Sequence, residues 1–337
     1  MVSRRNFLKA LGVMALGGIL GNVYKGAERA LAEAEASAPP LPWPYVELDV
    51  EYVRKMGHLG YYAFECAGGA FWAIIETLRE NVGFPYTLLP IPTREEVEAA
   101  LEEGKHLHSM MQYGAGGALG WASLCGALNG SAAAIQMVSE NWKKIGDMLF
   151  RWYETALFPS DKSNEYASRH EFFVKKYKSD KVLPQSVSHS ILCHASVSNW
   201  CKVSGYASGS PERSERCARL TGDVAAKAVE LLNADLKGEL ELLGTFTFSQ
   251  TTASCRTCHF KGTNYEMGQF TRGKMQCETC HTDMRPHAHN IVRLELPGSS
   301  SSSPGKTVAG GAALTGIIGA IAGVWSYMKS KGPKKPE

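Results

Sequence analysis

Tyr61-Tyr62-Ala63-Phe64-Glu65-Cys66-Ala67-Gly68-Gly69-Ala70-Phe71-Trp72-Ala73-Ile74-Ile75-Glu76-Thr77-Leu78 is aromatic and apolar throughout, and Glu65 and Glu76 are its only charges. Such a run reads as a largely buried helix around Cys66, inside a helical pattern that begins at Asp49. Downstream, Thr93-Arg94-Glu95-Glu96 is a capping box that opens a helix to about Glu103, with Gly104 as its stop. After Gly114-Ala115-Gly116-Gly117, residues 118–138 are small, apolar and uncharged, as a membrane span would be. Ser123, Asn129, Ser131, Gln136 and the many alanines favour a close-packed buried helix instead. Residues 141–158 keep amphipathic helical spacing, 160–180 are polar connecting structure, and 222–236 form an alanine-rich helix. Strand-like alternation is scarce, with Phe246-Thr247-Phe248 as the best short candidate. The fold class expected is therefore mainly α, with a helical core over 49–245.

The 337 residues are 44% hydrophobic, enough for one core of roughly 200–250 residues plus appendages. With 36 basic and 33 acidic residues the net charge is +3, which gives no electrostatic case for a nucleic-acid partner. Both ends carry targeting signals. Ser3-Arg4-Arg5-Asn6-Phe7-Leu8-Lys9 and the apolar run 10–20 read as a twin-arginine export signal rather than an uncleaved anchor. The signal is placed at 1–32, although Ala30-Leu31-Ala32 and Ala36-Ser37-Ala38 both fit a cleavage pattern, and a linker follows over 33–48. At the other end, 307–328 has no charge over 22 residues and is long enough, at 1.5 Å per residue, for one transmembrane helix. Gly319 and Gly323 give it a small-residue face. Lys329, Lys331, Lys334 and Lys335 make 329–337 a basic tail and place it in the cytoplasm. The Pro-, Gly- and Ser-rich stretch 297–306 is a flexible tether.

Between core and tether, 246–296 holds Cys255-Arg256-Thr257-Cys258-His259 and Cys277-Glu278-Thr279-Cys280-His281. In C-x-x-C-H, two thiols on one turn form thioethers to the haem vinyls and the adjoining histidine binds the iron. One motif alone would leave a zinc or redox dithiol in contention. Two in an exported chain point to two haems c, attached through Cys255, Cys258, Cys277 and Cys280, with His259 and His281 as axial ligands. Only 18 residues separate Cys258 from Cys277, so the haems should be neighbours. For the far side of each iron, His289 or His287 is favoured for one haem and His108 or His106 for the other. His58, His170, His189, His194, Met267, Met275 and Met284 are further candidates, and a surface or capping role competes for each.

Five cysteines remain: Cys66, Cys125, Cys193, Cys201 and Cys217. Haem c is attached outside the cytoplasm to a chain that can arrive unfolded, so an export route for folded cargo argues for a second centre built beforehand. The spare cysteines are its obvious ligands. Their spacings match neither ferredoxin nor C-x-x-C zinc usage, and a disulfide with a stray thiol is the rival reading.

The chain resembles the split-Soret cytochrome c family over about residues 1–295. The resemblance rests on the twin-arginine start, Met56-Gly57-His58-Leu59-Gly60-Tyr61-Tyr62 before Cys66, and Tyr113-Gly114-Ala115-Gly116-Gly117 before Cys125-Gly126-Ala127-Leu128-Asn129-Gly130. It extends through Cys201, Tyr206-Ala207-Ser208-Gly209-Ser210, Cys217 with Thr221-Gly222-Asp223-Val224, and the two haem motifs. The cysteine-bearing part is also similar to a broader group named for its Cys, Gly-Cys-Ala-x-x-Gly, Cys and Cys positions. The resemblance implies a helical homodimer with two haems per subunit gathered at the interface, His-His ligation, and an iron–sulfur cluster ([2Fe-2S]). Carried onto this chain, the cluster ligands are Cys193, Cys201, Cys217 and Cys125, with Cys66 in reserve. The tether and span are a departure from soluble members and suggest anchorage at the periplasmic face. Electron carriage is the leading expectation. A haem-based reductase of a small acceptor, using an open haem site or the cluster, is the alternative; a membrane redox sensor ranks below it because the tail has no output domain.

Overall fold

The computed structural model describes residues 38–260 and 272–281. The expected signal peptide, tether, membrane helix and basic tail lie outside these residues. Among the described residues no helix is long and apolar enough to cross a membrane.

Helix α1, Val50–Val82, is the spine. Asp49 caps it by accepting from the N–H groups of Glu51 and Tyr52. The run 61–78 is almost wholly enclosed, as its composition requires, but the helix is not continuous. Glu65, at φ 58° and ψ −168°, breaks it next to Cys66. The expected capping box is present: α2, Arg94–Glu103, starts from Thr93 with Glu96 bonding back to the cap, and stops at Gly104 in the left-handed region.

The next helix, α3, spans Gly126–Val138 and is shorter than the expected 118–138. Residues 112–123 instead wind through a chain of turns in which Gly116, Gly117, Ala118, Leu119, Gly120 and Ala122 all have positive φ. Backbone bonds such as Leu119 N–H to Tyr113 O (2.8 Å) and Ser123 N–H to Gly117 O (3.0 Å) hold the coil together. Glycine relieves the strain at three of these positions, which no α-helix could accommodate.

Helix α4, Trp142–Thr155, follows, then strand β1, Leu157–Phe158, and helix α5, Asp161–Ser168, inside a stretch expected to be only connecting. Strand β2, Ser186–Val187, pairs antiparallel with β1 through Leu157↔Val187 and Phe158↔Ser186. Helix α6, Cys193–Ser204, has no counterpart in the expectations. Helix α7 is Pro211–Leu236, beginning well before the expected 222, with Ser210 as cap and proline in the first turn. Helix α8 is Gln250–Cys255, and a single 3-10 turn covers Cys277–Thr279. Phe246 and Phe248 form no strand; their rings pack on each other at 5.0 Å, and no strand edge pairs with them.

The core is α7 and α3 packed on α1. A Cβ on Gly57 would come within 2.8 Å of Gly222 Cα, so α1 and α7 touch backbone to backbone. A Cβ on Gly130 would collide with the Ala67 carbonyl, which brings α3 equally close on the other side. Buried Asp223 ties three elements together: it accepts from Arg54 on α1, and from the Ser160 N–H and the Ser160 and Ser163 hydroxyls at the start of α5. Residues 38–48, expected as linker, dock on this core. Trp43 N–H reaches Met137 O at 2.7 Å, and the Tyr45 hydroxyl reaches Asn233 Oδ1 at 2.8 Å.

Candidate functional site

Three packing features gather cysteines at one place. The break at Glu65 turns Cys66 toward the start of α3, where its sulfur occupies the space a Cβ on Gly126 would need. Cys125 is the N-cap of α3 and Cys193 the first residue of α6. An isolated antiparallel bridge between Leu124 and Leu192 aligns these helix starts: Cys125 N–H bonds Ile191 O (2.9 Å) and Cys193 N–H bonds Ser123 O (2.7 Å). Cys217, on α7, completes the group. Each of Cys66, Cys125 and Cys193 is close enough to Cys217 for their charges to interact.

Burial, with the neighbouring sulfurs adding to it, pushes the thiols of Cys66 and Cys125 upward and that of Cys193 to about 12. Against this, Gly116 N–H faces the Cys66 sulfur, while Ala127 and Leu128 N–H and the Tyr153 hydroxyl face that of Cys125. Arg216 lies on the same side, 1% exposed. Its Nη2 donates to Ser196 Oγ at 2.8 Å, its Nη1 is 3.9 Å from Cys217 Sγ, and its Nε has no partner. Arg213 also reaches the Cys217 sulfur. Among the described residues no carboxylate pairs with Arg216; thiol groups and Tyr153 are the groups its charge meets. A buried guanidinium without a carboxylate needs another anion. Metal-bound thiolates supply one, and two helix N-termini add partial positive charge.

The donor set thus suits an anionic metal–thiolate centre. No three His, Cys, Asp or Glu side chains among the described residues converge on the position of one ion. All nine cysteines are free, with no disulfide among them.

Of the expected set Cys193, Cys201, Cys217 and Cys125, with Cys66 in reserve, the described packing gathers Cys66, Cys125, Cys193 and Cys217. Eight residues along α6 rotate Cys201 about 80° off the face that Cys193 presents. Arg216, Arg213 and Tyr153 were not foreseen. The signal available was the density of Arg213, Arg216 and Arg219 around Cys217 on one helix.

His58 is removed from the haem-ligand candidates. Its ring is fully enclosed, stacked on Phe172 at 3.7 Å, with Nε2 2.9 Å from Glu215 Oε1. Burial lowers its pKa, so the neutral ring donates from Nε2 and leaves Nδ1 as the unpartnered acceptor. Burial would raise Glu215, but hydrogen bonds from His58 and Tyr62 and the charge of Arg219 bring it down to about 2. The network braces α1 against α7.

The two C-x-x-C-H segments fold alike. His259 N–H bonds Cys255 O and His281 N–H bonds Cys277 O, each at 2.9 Å. Cys258 and Cys280 are exposed, leaving room for a porphyrin on the outer side of each turn. The turns are locked together: Thr252 donates to Glu278 Oε2 (2.6 Å) and accepts from Cys277 N–H (2.8 Å), and the sulfurs of Cys255 and Cys277 are hydrogen-bond neighbours. Lys274 pairs with Asp147 of α4, Arg151 covers Phe246 at 4.8 Å, and Thr279 Oγ1 donates to His189 O at 2.8 Å. His106, His108 and His194 are exposed, as is Met275. His170 pairs with Asp180 at 3.3 Å. Met267, Met284, His287 and His289 lie outside the described residues.

Thiols gathered at helix starts beside an unpaired arginine serve redox or metal chemistry, and paired C-x-x-C-H turns attach haem; the class is a c-type cytochrome with a second cysteine site. Residues 94–231 match the model of a family described as a putative redox-active protein, C_GCAxxG_C_C. The split-Soret cytochrome c of Desulfovibrio desulfuricans is 32% identical over 296 residues, covering 83% of this chain and 95% of that protein. A solved structure described as a novel iron centre in the split-Soret cytochrome c from Desulfovibrio desulfuricans is 29% identical. It aligns with a TM-score of 0.56 over 72% of this chain and 91% of the other. This chain belongs to the split-Soret cytochrome c family.

Proposed function

We propose that this protein carries electrons on the outer side of the cytoplasmic membrane, with two haems c and an iron–sulfur cluster in each chain. When bound, these groups supply one-electron redox chemistry. Cys255 and Cys258 attach one haem with His259 on its iron; Cys277 and Cys280 attach the other with His281. Cys66, Cys125, Cys193 and Cys217 hold the cluster, read as [2Fe-2S]. Arg216 and Arg213 offset its negative charge, and the closed packing of α1, α3 and α7 keeps water from it.

Arg216 is the observation that carries the reading. A buried cation whose available counter-charges are sulfurs makes sense beside a charged centre and little sense beside four neutral thiols. Export by the twin-arginine route, anchorage through 307–328 and assembly as a homodimer complete the proposal. Exposed Cys258 and Cys280, with Leu119 (76% exposed) and Trp121 (83%) on the coiled loop, support a surface that a second copy covers.

Chemical analysis tests it. The purified protein should hold two haems per chain by alkaline pyridine spectra, with acid-labile sulfide and non-haem iron in equal amounts. Sulfide below the detection limit in freshly prepared protein would remove the cluster. High-spin haem that binds carbon monoxide would replace the carrier with the reductase reading.

A further inference from the structure

The two haem motifs carry threonine at the same position, Thr257 and Thr279, directly before the second cysteine. Their hydroxyls do different things. Thr257 donates to Ser254 O at 2.8 Å, within its own turn. Thr279 donates to His189 O at 2.8 Å, across to the core.

His189 begins a short strap that leads straight to the cysteine group. Two residues on, Ile191 O accepts from Cys125 N–H at 2.9 Å; two residues further, the strap becomes Cys193 itself. The strap is stiff. His189 N–H bonds Glu154 O at 3.0 Å, Leu192 N–H bonds Ser190 Oγ at 3.2 Å, and Asn199 Nδ2 holds Ser188 O at 3.0 Å. Ser188 and Ser190 are enclosed. An electron tunnels far more readily along covalent and hydrogen-bonded links than across van der Waals gaps. A bonded route therefore runs from Cys280 through Thr279, the His189 carbonyl and Ile191 to Cys125, and along the strap to Cys193.

We propose that the turn 277–281 is the electron port of the cysteine site, that Thr279 is its coupling residue, and that the turn 255–259 exchanges electrons through 277–281. The neighbouring sulfurs of Cys255 and Cys277 bring the two attachment turns together. When bound, the haem and the cluster would supply one-electron redox chemistry; the part of this chain is to hold the bonded bridge between their sites, where no bond is made and no proton moves. Thr279 touches neither iron, and acts by keeping the link short and bonded. This inference rests on the haem and cluster assignment above.

The test compares Thr279→Val with Thr257→Val in the full chain, each loaded with haem and cluster. Haem is photoreduced with a deazaflavin flash, and electron exchange with the cluster is followed by absorbance. Thr279→Val should slow the exchange severalfold with haem content, cluster content and midpoint potentials unchanged, while Thr257→Val keeps the wild-type rate. Thr279→Ser, which retains the hydroxyl, should restore the rate, so a loss caused by misfolding is distinguishable. An unchanged rate in Thr279→Val, equal slowing in both valine variants, or failure of serine to restore it would overturn the port. Wild-type protein without haem or cluster would instead defeat the assignment beneath it.

Discussion

At the scale of single residues, two buried ionisable groups decide what the core does. Arg216 has sulfur where a carboxylate would be expected, so its charge acts on whatever the four cysteines hold. A nearby buried cation stabilises the more negative, reduced state. Arg216→Met should therefore lower the midpoint potential of the proposed cluster by about 90 mV, which corresponds to a lost charge-assisted contact of about 2 kcal/mol. Arg216→Lys should recover part of it. An EPR-monitored redox titration reads the shift; a potential that stays in place would show that the arginine only packs. His58 sets a different dependence. Burial holds its folded pKa below the 6.5 of a free histidine, so on acidification the unfolded chain takes up a proton there before the folded one does. Stability should thus be full above about pH 6.5 and fall below it by up to about 1.4 kcal/mol per unit from this residue. Glu215, held at about 2 against 4.5, gives a second loss as pH falls through that lower window. Urea unfolding at pH 7.5 and pH 5.5 should show a smaller difference for His58→Gln than for the wild type.

At the scale of elements, the close approach of α1 and α3 is what brings Cys66 to Cys125. Gly130→Ala places a methyl into the Ala67 carbonyl, and such overpacking costs about 1–3 kcal/mol, more than the roughly 1 kcal/mol that alanine gains in helix propensity. Gly146→Ala on α4 meets nothing within 4 Å and should stabilise by up to about 1 kcal/mol. Thermal melts of the two variants should therefore move in opposite directions, and Gly130→Ala should also lose cluster absorbance. Much of this layer was legible in advance. Asp49, the 93–104 box and the buried run 61–78 carry local signals that tertiary context does not override. The coil at 112–123 was not, because apolar composition hides a backbone that Gly116, Gly117 and Gly120 turn left-handed. The start of α7 was hidden by the charges of 212–219, which look like a solvated stretch; in the fold all three of Glu215, Arg216 and Arg219 are buried, Glu215 pairs with Arg219, and Arg216 faces the cysteine group. The grouping of the cysteines was hard to read from spacing for a related reason. Spacing reports ligands on one short loop, and here four thiols arrive from α1, α3, α6 and α7.

At the scale of the molecule, both haem-attachment turns and the cysteine group lie among the described residues, before the proposed tether and span. On this reading anchorage and function are separable. A chain ending at 296 should be recovered in the soluble periplasmic fraction with the wild-type haem and cluster content, while the full chain sediments with membranes. A shortened chain that still sediments would assign the anchor elsewhere. The shortened form also isolates the question of assembly. Cys258 and Cys280 are exposed, so porphyrins attached there would face outward, and a porphyrin left in water on the face of one subunit would keep its apolar surface solvated. Pairing of two copies through that face removes both haem pairs from water together. Light scattering should then give a mass of two chains for the haem-loaded protein. Replacing Cys255, Cys258, Cys277 and Cys280 with alanine should give one chain, because the apolar area that drives association leaves with the porphyrins. A haem-free dimer would move the driving surface to Leu119 and Trp121, whose replacement by serine should then separate the copies.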